Sequence, residues 1–239
     1  MKKECLDYNE TVDVGVILEQ NWMVDYIADN FEDGELIYCF SIDRDIYLIE
    51  RNGIKYAFLQ AHGSAPTGCY VEEMKKRSAK KVYRIGTCGA LQSNINFGDV
   101  VISTAAIRDE GTSDQYIPKY FPAMSPPEHV KNISTKLAER GLTVHNGITW
   151  TTDGRFVESN EKILSFSKLG VKNVDMETSA LMIVCQMKNI PGISIGVVTD
   201  RPIDDVREEF KGRIHNLSEN RKMLSERLFD IGHTVLNSI

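Results

Sequence analysis

The chain has 239 residues, 42% apolar and 26% charged, an ordinary globular composition long enough for one large domain with a full core. Its formal charge of −6 and the lack of a basic tract argue against nucleic acid as the main partner, and no run approaches the roughly 20 apolar residues of a membrane span. The five cysteines, Cys5, Cys39, Cys69, Cys88 and Cys185, form no C-x-x-C pair and the five histidines are dispersed, so neither a disulfide frame nor a metal site is expected and the thiols suit a reducing cytoplasm.

In chain order, the opening stretch "MKKECLDYNETVDVGVIL" is broken by Asp13 and Gly15 and lacks a small-residue cleavage site, so it reads as part of the fold and not as a signal peptide. The first expected strand is 12–18, followed by a helix over "NWMVDYIADNF". Strands at 46–50 and 55–61 face each other across Asn52-Gly53, a good hairpin turn. A strand at 81–85 leads into the small-residue turn Gly86-Thr87-Cys88-Gly89, and a strand at 100–107 follows. The segment "SPPEHVKNISTKLAERG" has a proline start and a glycine stop, which predicts a helix. A strand at 144–151 precedes a helix over "NEKILSFSKLG", and "METSALMIVCQMKN" is apolar around most of its circumference, as a central buried helix must be. A strand at 193–199 and a long amphipathic C-terminal helix, with a break near Asn216, complete the pattern. No linker or repeat divides the chain. Residues 1–239 therefore read as a single α/β domain, a central mixed β-sheet with helices on both faces.

In such sheets, sites gather at the carboxyl ends of strands, and three strand ends carry residues a core would not select. The first is "RIGTCGAL", where Arg84, Gly86 and the Thr87 hydroxyl suggest charge-assisted hydrogen bonds and backbone N–H groups around an oxyanion. A strand-to-helix turn whose arginine pairs with an acidic neighbour fits the same residues. The second is "VDMETSAL", where Asp175 and Glu177 flank Met176. Two carboxylates around one apolar side chain suit neighbouring sugar hydroxyls, and acids favoured by a helix N-terminus suit the pattern too. The third is "VVTDRP", in which Asp200 is either a partly desolvated general acid or a turn residue before Pro202.

Taken together and in this order, "RIGTCGAL", "VDMETSAL" and "VVTDRP" resemble the nucleoside phosphorylase family, which includes uridine phosphorylases, hexameric purine nucleoside phosphorylases and related nucleosidases. The similarity continues through "GDVVISTAAIRDEGTSDQYIP", "FPA" and "AHGSAPTGCYVEEM" and covers nearly the whole chain. It implies a distorted, barrel-like sheet and a reaction in which phosphate attacks the anomeric carbon of a nucleoside, giving free base and ribose 1-phosphate. By resemblance, Arg84, Gly86 and Thr87 hold phosphate. Asp175, Met176 and Glu177 hold ribose. Asp200 protonates the leaving base with help from Arg213, thirteen residues on, and the segment "TTDGRFVESNEK" offers Arg155 and Phe156 to the base. The aspartate at 200 favours a purine, although the motifs in the middle of the chain look like the uridine phosphorylase branch. Phosphate is the co-substrate and no cofactor is implied. The family further implies a homodimer or homohexamer acting on small molecules, without nucleic acid or membrane.

Two departures bear on the reaction. Family phosphorylases open with a Pro-Gly-Asp-Pro-type turn and a phosphate-binding arginine, whereas this chain has "ILEQNWMVDYIA", which places Glu19 in the turn. A carboxylate facing Arg84 repels phosphate, and the family's nucleosidases use a glutamate near the N-terminus to activate water. Glu19 is thus a candidate water-activating residue and hydrolysis the alternative reaction. In addition, no histidine precedes His62 to be lent to a neighbouring subunit, and Arg44 matches the other borrowed residue only across a gap. A non-catalytic nucleoside-binding protein is the alternative from a different class.

Overall fold

A computed structural model describes residues 10–31, 34–39, 44–155, 158–206 and 217–237. Among the described residues, ten strands join one sheet in the order β10-β6-β8-β9-β5-β1-β4-β3-β2, β7 pairing with β6 and a further pairing between β10 and β5 closing five of the strands into a barrel. The strands are β1 (Val14–Leu18), β2 (Gly34–Cys39), β3 (Arg44–Arg51), β4 (Ile54–Gln60), β5 (Lys81–Ala90), β6 (Val100–Asp109), β7 (Ala123–Met124), β8 (Val144–Thr152), β9 (Asn173–Asp175) and β10 (Gly192–Asp200). The helices are α1 (Asn21–Asn30), α2 (Ser64–Lys76), α3 (Pro127–Glu139), α4 (Asn160–Lys168), α5 (Thr178–Met187), α6 (Pro202–Val206) and α7 (Leu217–Leu236). None of them is long and apolar enough to cross a membrane.

The apolar run of β1 is buried at every position because the strand lies between two parallel neighbours, β4 and β5, and has helices on both faces. On one face Val14, Val16, Tyr83 and Ile85 pack with Met23 and Ile27 of α1 and with Leu228, Ile231 and Val235 of α7. On the other, Ile17, Ala57 and Leu59 pack with Tyr70 and Met74 of α2 and with Leu181 and Val184 of α5. Successive strand residues thus feed two separate cores, as the period of two requires. Every residue of α5 from Thr178 to Cys185 is buried, in agreement with its apolar circumference.

The β3–β4 hairpin turns at Asn52 and Gly53, both with positive φ (54° and 74°), the geometry a two-residue hairpin loop of this kind demands. The segment expected to turn at Gly86 to Gly89 does not. There β5 runs on to Ala90, paired with β10 at Gly86↔Gly196, Thr87↔Val197 and Cys88↔Val198. The glycines are needed for close approach: a Cβ on Gly86 would lie 2.6 Å from the Arg84 guanidinium carbon, and one on Gly196 2.8 Å from Cys88 Sγ. Strands β2 and β7 and the short helix α6 also lie outside the elements expected. The break expected near Asn216 lies outside the described residues.

Candidate active site

Strands β4, β1, β5 and β10 are neighbours and run parallel, so their carboxyl ends share one edge of the sheet. Glu19 directly follows β1, His62 follows β4, and Asp200 ends β10. Pairing of Ile17 with Arg84 and of Leu18 with Ile85 sets Glu19 beside the Gly86-Thr87 stretch. The backbone of Glu19 is pinned at both polar groups: its N–H donates to Ile85 O (3.2 Å), and Gln60 Nε2 donates to its carbonyl (2.9 Å).

Arg84 is 1% exposed, so its charge has to be balanced inside the protein. Three carboxyl groups converge on it: Glu177 Oε2 at 2.6 Å, Glu19 Oε2 at 3.4 Å and Asp175 Oδ2 at 3.6 Å. Its Nη2 also donates to the Thr87 carbonyl at 3.1 Å. Burial alone would lower the pKa of the guanidinium, but Glu177, Asp175 and Glu19 outweigh that and raise it. Its Nε and Nη1 make no hydrogen bond with the described residues. The Glu19 carboxylate lies against Thr87, accepting its backbone N–H, with the hydroxyl 3.0 and 2.8 Å from the two carboxylate oxygens. His62 Nδ1 stands 3.7 Å from Glu19 on the solvent side.

Glu177 joins this cradle to the next element. Its Oε1 accepts the Gly63 N–H at 2.7 Å, and Ser64 Oγ donates to the Met176 carbonyl at 2.7 Å. Gly63 has φ of 88°, a conformation that favours glycine at the turn between β4 and α2. Burial raises the Glu177 carboxyl, Arg84 opposes the shift, and Asp175 and Glu19 push the same way as burial. Asp175 lies behind Arg84 and is engaged by Thr151 Oγ1 (2.9 Å), by the Thr178 N–H (3.3 Å) and by the Thr178 hydroxyl. The two acids expected around a sugar therefore take different positions. Glu177 lies at the cradle beside a half-buried Met176, while Asp175 braces the guanidinium from within the polar network.

At the other end of the edge, Asp200 is exposed and pairs across to Gly89. A Cβ on Gly89 would lie 2.9 Å from Pro202 Cγ and 3.1 Å from Asp200 Oδ2, so glycine allows the Asp200-Pro202 turn to fold over β5. Arg155 is exposed in the loop before α4, while Phe156 and Arg213 lie outside the described residues. Sequence reasoning missed Glu158, a partly buried residue next to the N-cap of α4, whose carboxyl is pushed up to about 7 by burial and by the Asp200 charge, with Arg155 opposing. The signal available was an acid within the same "DGRFVESNEK" segment that carries Arg155. Burial also raises the Cys88 thiol far above its ordinary value, which makes it a core filler and a poor nucleophile. Glu110 accepts the Thr112 and Ser113 N–H groups and the Ser179 hydroxyl, so it shapes its loop from inside.

A guanidinium, a hydroxyl and a backbone N–H thus meet on the Glu19 carboxylate, beside the buried Glu177, at the edge of a closed mixed barrel of an α/β fold. The chain belongs to the phosphorylase superfamily, whose family model matches residues 34–230. It is similar to the uridine phosphorylase of Haemophilus influenzae, 29% identical over 162 residues covering 62% of this chain and 64% of that protein. It is also similar to the guanosine phosphorylase of Halorubrum lacusprofundi, 24% identical over 74% of each chain, and to the purine nucleoside phosphorylase of Plasmodium vivax, 29% identical over 60% of each. The similarity to the Haemophilus protein thus spans less than two thirds of that relative's length. A crystal structure of uridine phosphorylase from Vibrio fischeri shares the fold with a TM-score of 0.85 at 22% identity, covering 98% of this chain and 93% of that one.

Proposed function

We propose that this chain cleaves the N-glycosidic bond of a nucleoside with phosphate as the nucleophile, giving free base and ribose 1-phosphate. The observation that carries the reading is the convergence of Arg84 Nη2, the Thr87 N–H and the Thr87 hydroxyl on a single anion, held today by a carboxylate, with Glu177 adjoining. Those donors suit a phosphate oxygen and keep the anion aimed at the anomeric carbon of a ribose bound beside Glu177 and Met176. The relatives, named as uridine, guanosine and purine nucleoside phosphorylases, support the same chemistry.

As the base we propose a purine, because Asp200 matches the acid that the family's purine enzymes direct at the departing base and Glu158 beside it, its carboxyl raised to about 7, adds a second carboxyl able to hold a proton at that end. Uracil is the alternative, supported by the uridine phosphorylases among the relatives. Assembly as a homodimer or homohexamer, a cytoplasmic location and independence from any cofactor, with phosphate as co-substrate, belong to the same proposal. A second reading, hydrolysis, is favoured by one observation: the Glu19 carboxylate occupies the anion position itself, where it could accept a proton from water. Incubation with inosine, guanosine, adenosine and uridine separates the bases. The purine reading expects inosine or guanosine to be cleaved faster than uridine, and the reverse order assigns the chain to uridine.

A further inference from the structure

If phosphate is the nucleophile, as proposed above, its place has first to be emptied. We propose that Glu19 is a tethered competitor of phosphate, a residue that sets the affinity of the cradle for its co-substrate, and that phosphate binds only after the Glu19 side chain has turned away from Thr87. The inference rests on the phosphorolysis reading and adds to it the control of the nucleophile.

The donors leave no room for both anions. Glu19 accepts the Thr87 N–H, sits 2.8 Å from the Thr87 hydroxyl and lies 3.4 Å from Arg84 Nη2, and these are the groups a phosphate would use. Charge opposes simultaneous occupancy as well, since Glu177 and Asp175 already share the buried guanidinium with Glu19 and a further anion there meets like charge. Space has been kept for the carboxylate, since a Cβ on Gly86 would come within 2.7 Å of Glu19 Oε2. The Glu19 backbone is fixed by Ile85 and Gln60, so the departure we propose is a rotation of the side chain, and the exposed His62, whose Nδ1 lies 3.7 Å from Glu19 Oε1, marks its solvent side. Retreat toward His62 exchanges Thr87 and Arg84 for an imidazole and water.

Calorimetric titration with inorganic phosphate, and separately with sulfate, tests this on the wild-type chain and on Glu19→Ala and Glu19→Gln. Phosphate Kd is expected to fall at least about tenfold in Glu19→Ala, because a charged competitor has been removed, and by a smaller factor in Glu19→Gln, where the amide still fills the place. Sulfate should follow the same order. Unchanged or weaker phosphate binding in both variants overturns the proposal. Thermal unfolding of each variant accompanies the titration, and Glu19→Gln, which retains the side chain's shape, decides the matter if the alanine variant does not fold. Base release measured on the same samples keeps the two readings apart. Variants that gain phosphate affinity without any phosphate-dependent base release leave the competitor role standing and remove phosphorolysis. Wild-type release indifferent to phosphate, abolished in both variants and unaccompanied by a gain in affinity, overturns the competitor role and favours hydrolysis.

Discussion

Arg84 is a buried charge that the fold has to balance with three carboxyl groups. Its guanidinium is buried only because Glu19, Asp175 and Glu177 surround it, so Arg84→Met should lower stability by about 3–5 kcal/mol in urea unfolding, through the carboxylates left unpaired. At the base end, the purine reading expects Asp200→Asn to reduce purine release at least about a hundredfold while leaving any uridine release nearly unchanged. Equal losses on both substrates would defeat that assignment. Glu158 adds a pH signature. Its carboxyl is raised to about 7 in the folded chain, so folding holds a proton that the unfolded chain has already lost. The stability from this proton is fully present below the ordinary carboxyl range and is lost as pH rises through about 7. Glu158→Gln should flatten the fall in melting temperature across that window, and a slope identical to wild type would contradict the assigned environment.

The elements show what can be read from sequence and where reading stops. Long periodic segments were legible: the β3–β4 hairpin, α3 with its proline start, α4 ending before Gly170 and the buried α5 all lie where pattern and punctuation put them. The run Gly86 to Gly89 was misread as a turn, because glycine marks both tight turns and close approach, and only the β10 partner decides between them. Strand β2 is short, with no alternation strong enough to separate it from a loop, and α6 spans five residues, below the length at which helical periodicity is visible. The glycine assignment is testable. Gly86→Ala places a methyl against the Arg84 guanidinium and the Glu19 carboxylate, so it should lower stability by about 1–3 kcal/mol and depress base release together with it. Unaltered activity would show that the cradle tolerates displacement of both side chains.

Across the whole molecule, the barrel closure between β10 and β5 assembles the site from parts distant in sequence. Each of the three motifs is contiguous and so legible in the sequence, although only their combination and order carried the resemblance. The placement of Glu19 against Thr87 was not, since it follows from the parallel pairing of β1 with β5, and Glu158 reaches the environment of Asp200 only through the packing of α4 on α6. The missing glycine-proline turn after β1, and with it a carboxylate facing Arg84, was legible in the sequence, whereas the hold of Thr87 on that carboxylate became visible only in three dimensions. Light scattering should find a dimer or hexamer, and a monomer at assay concentrations would remove the proposed assembly. The central claim is that phosphate breaks the glycosidic bond at the Arg84-Thr87 cradle. Its most direct test is to quantify free base and ribose 1-phosphate in the same reaction, with and without inorganic phosphate. The account predicts equal amounts of both products and no base without phosphate, and it is contradicted by base released at the same rate in phosphate-free buffer, accompanied by free ribose.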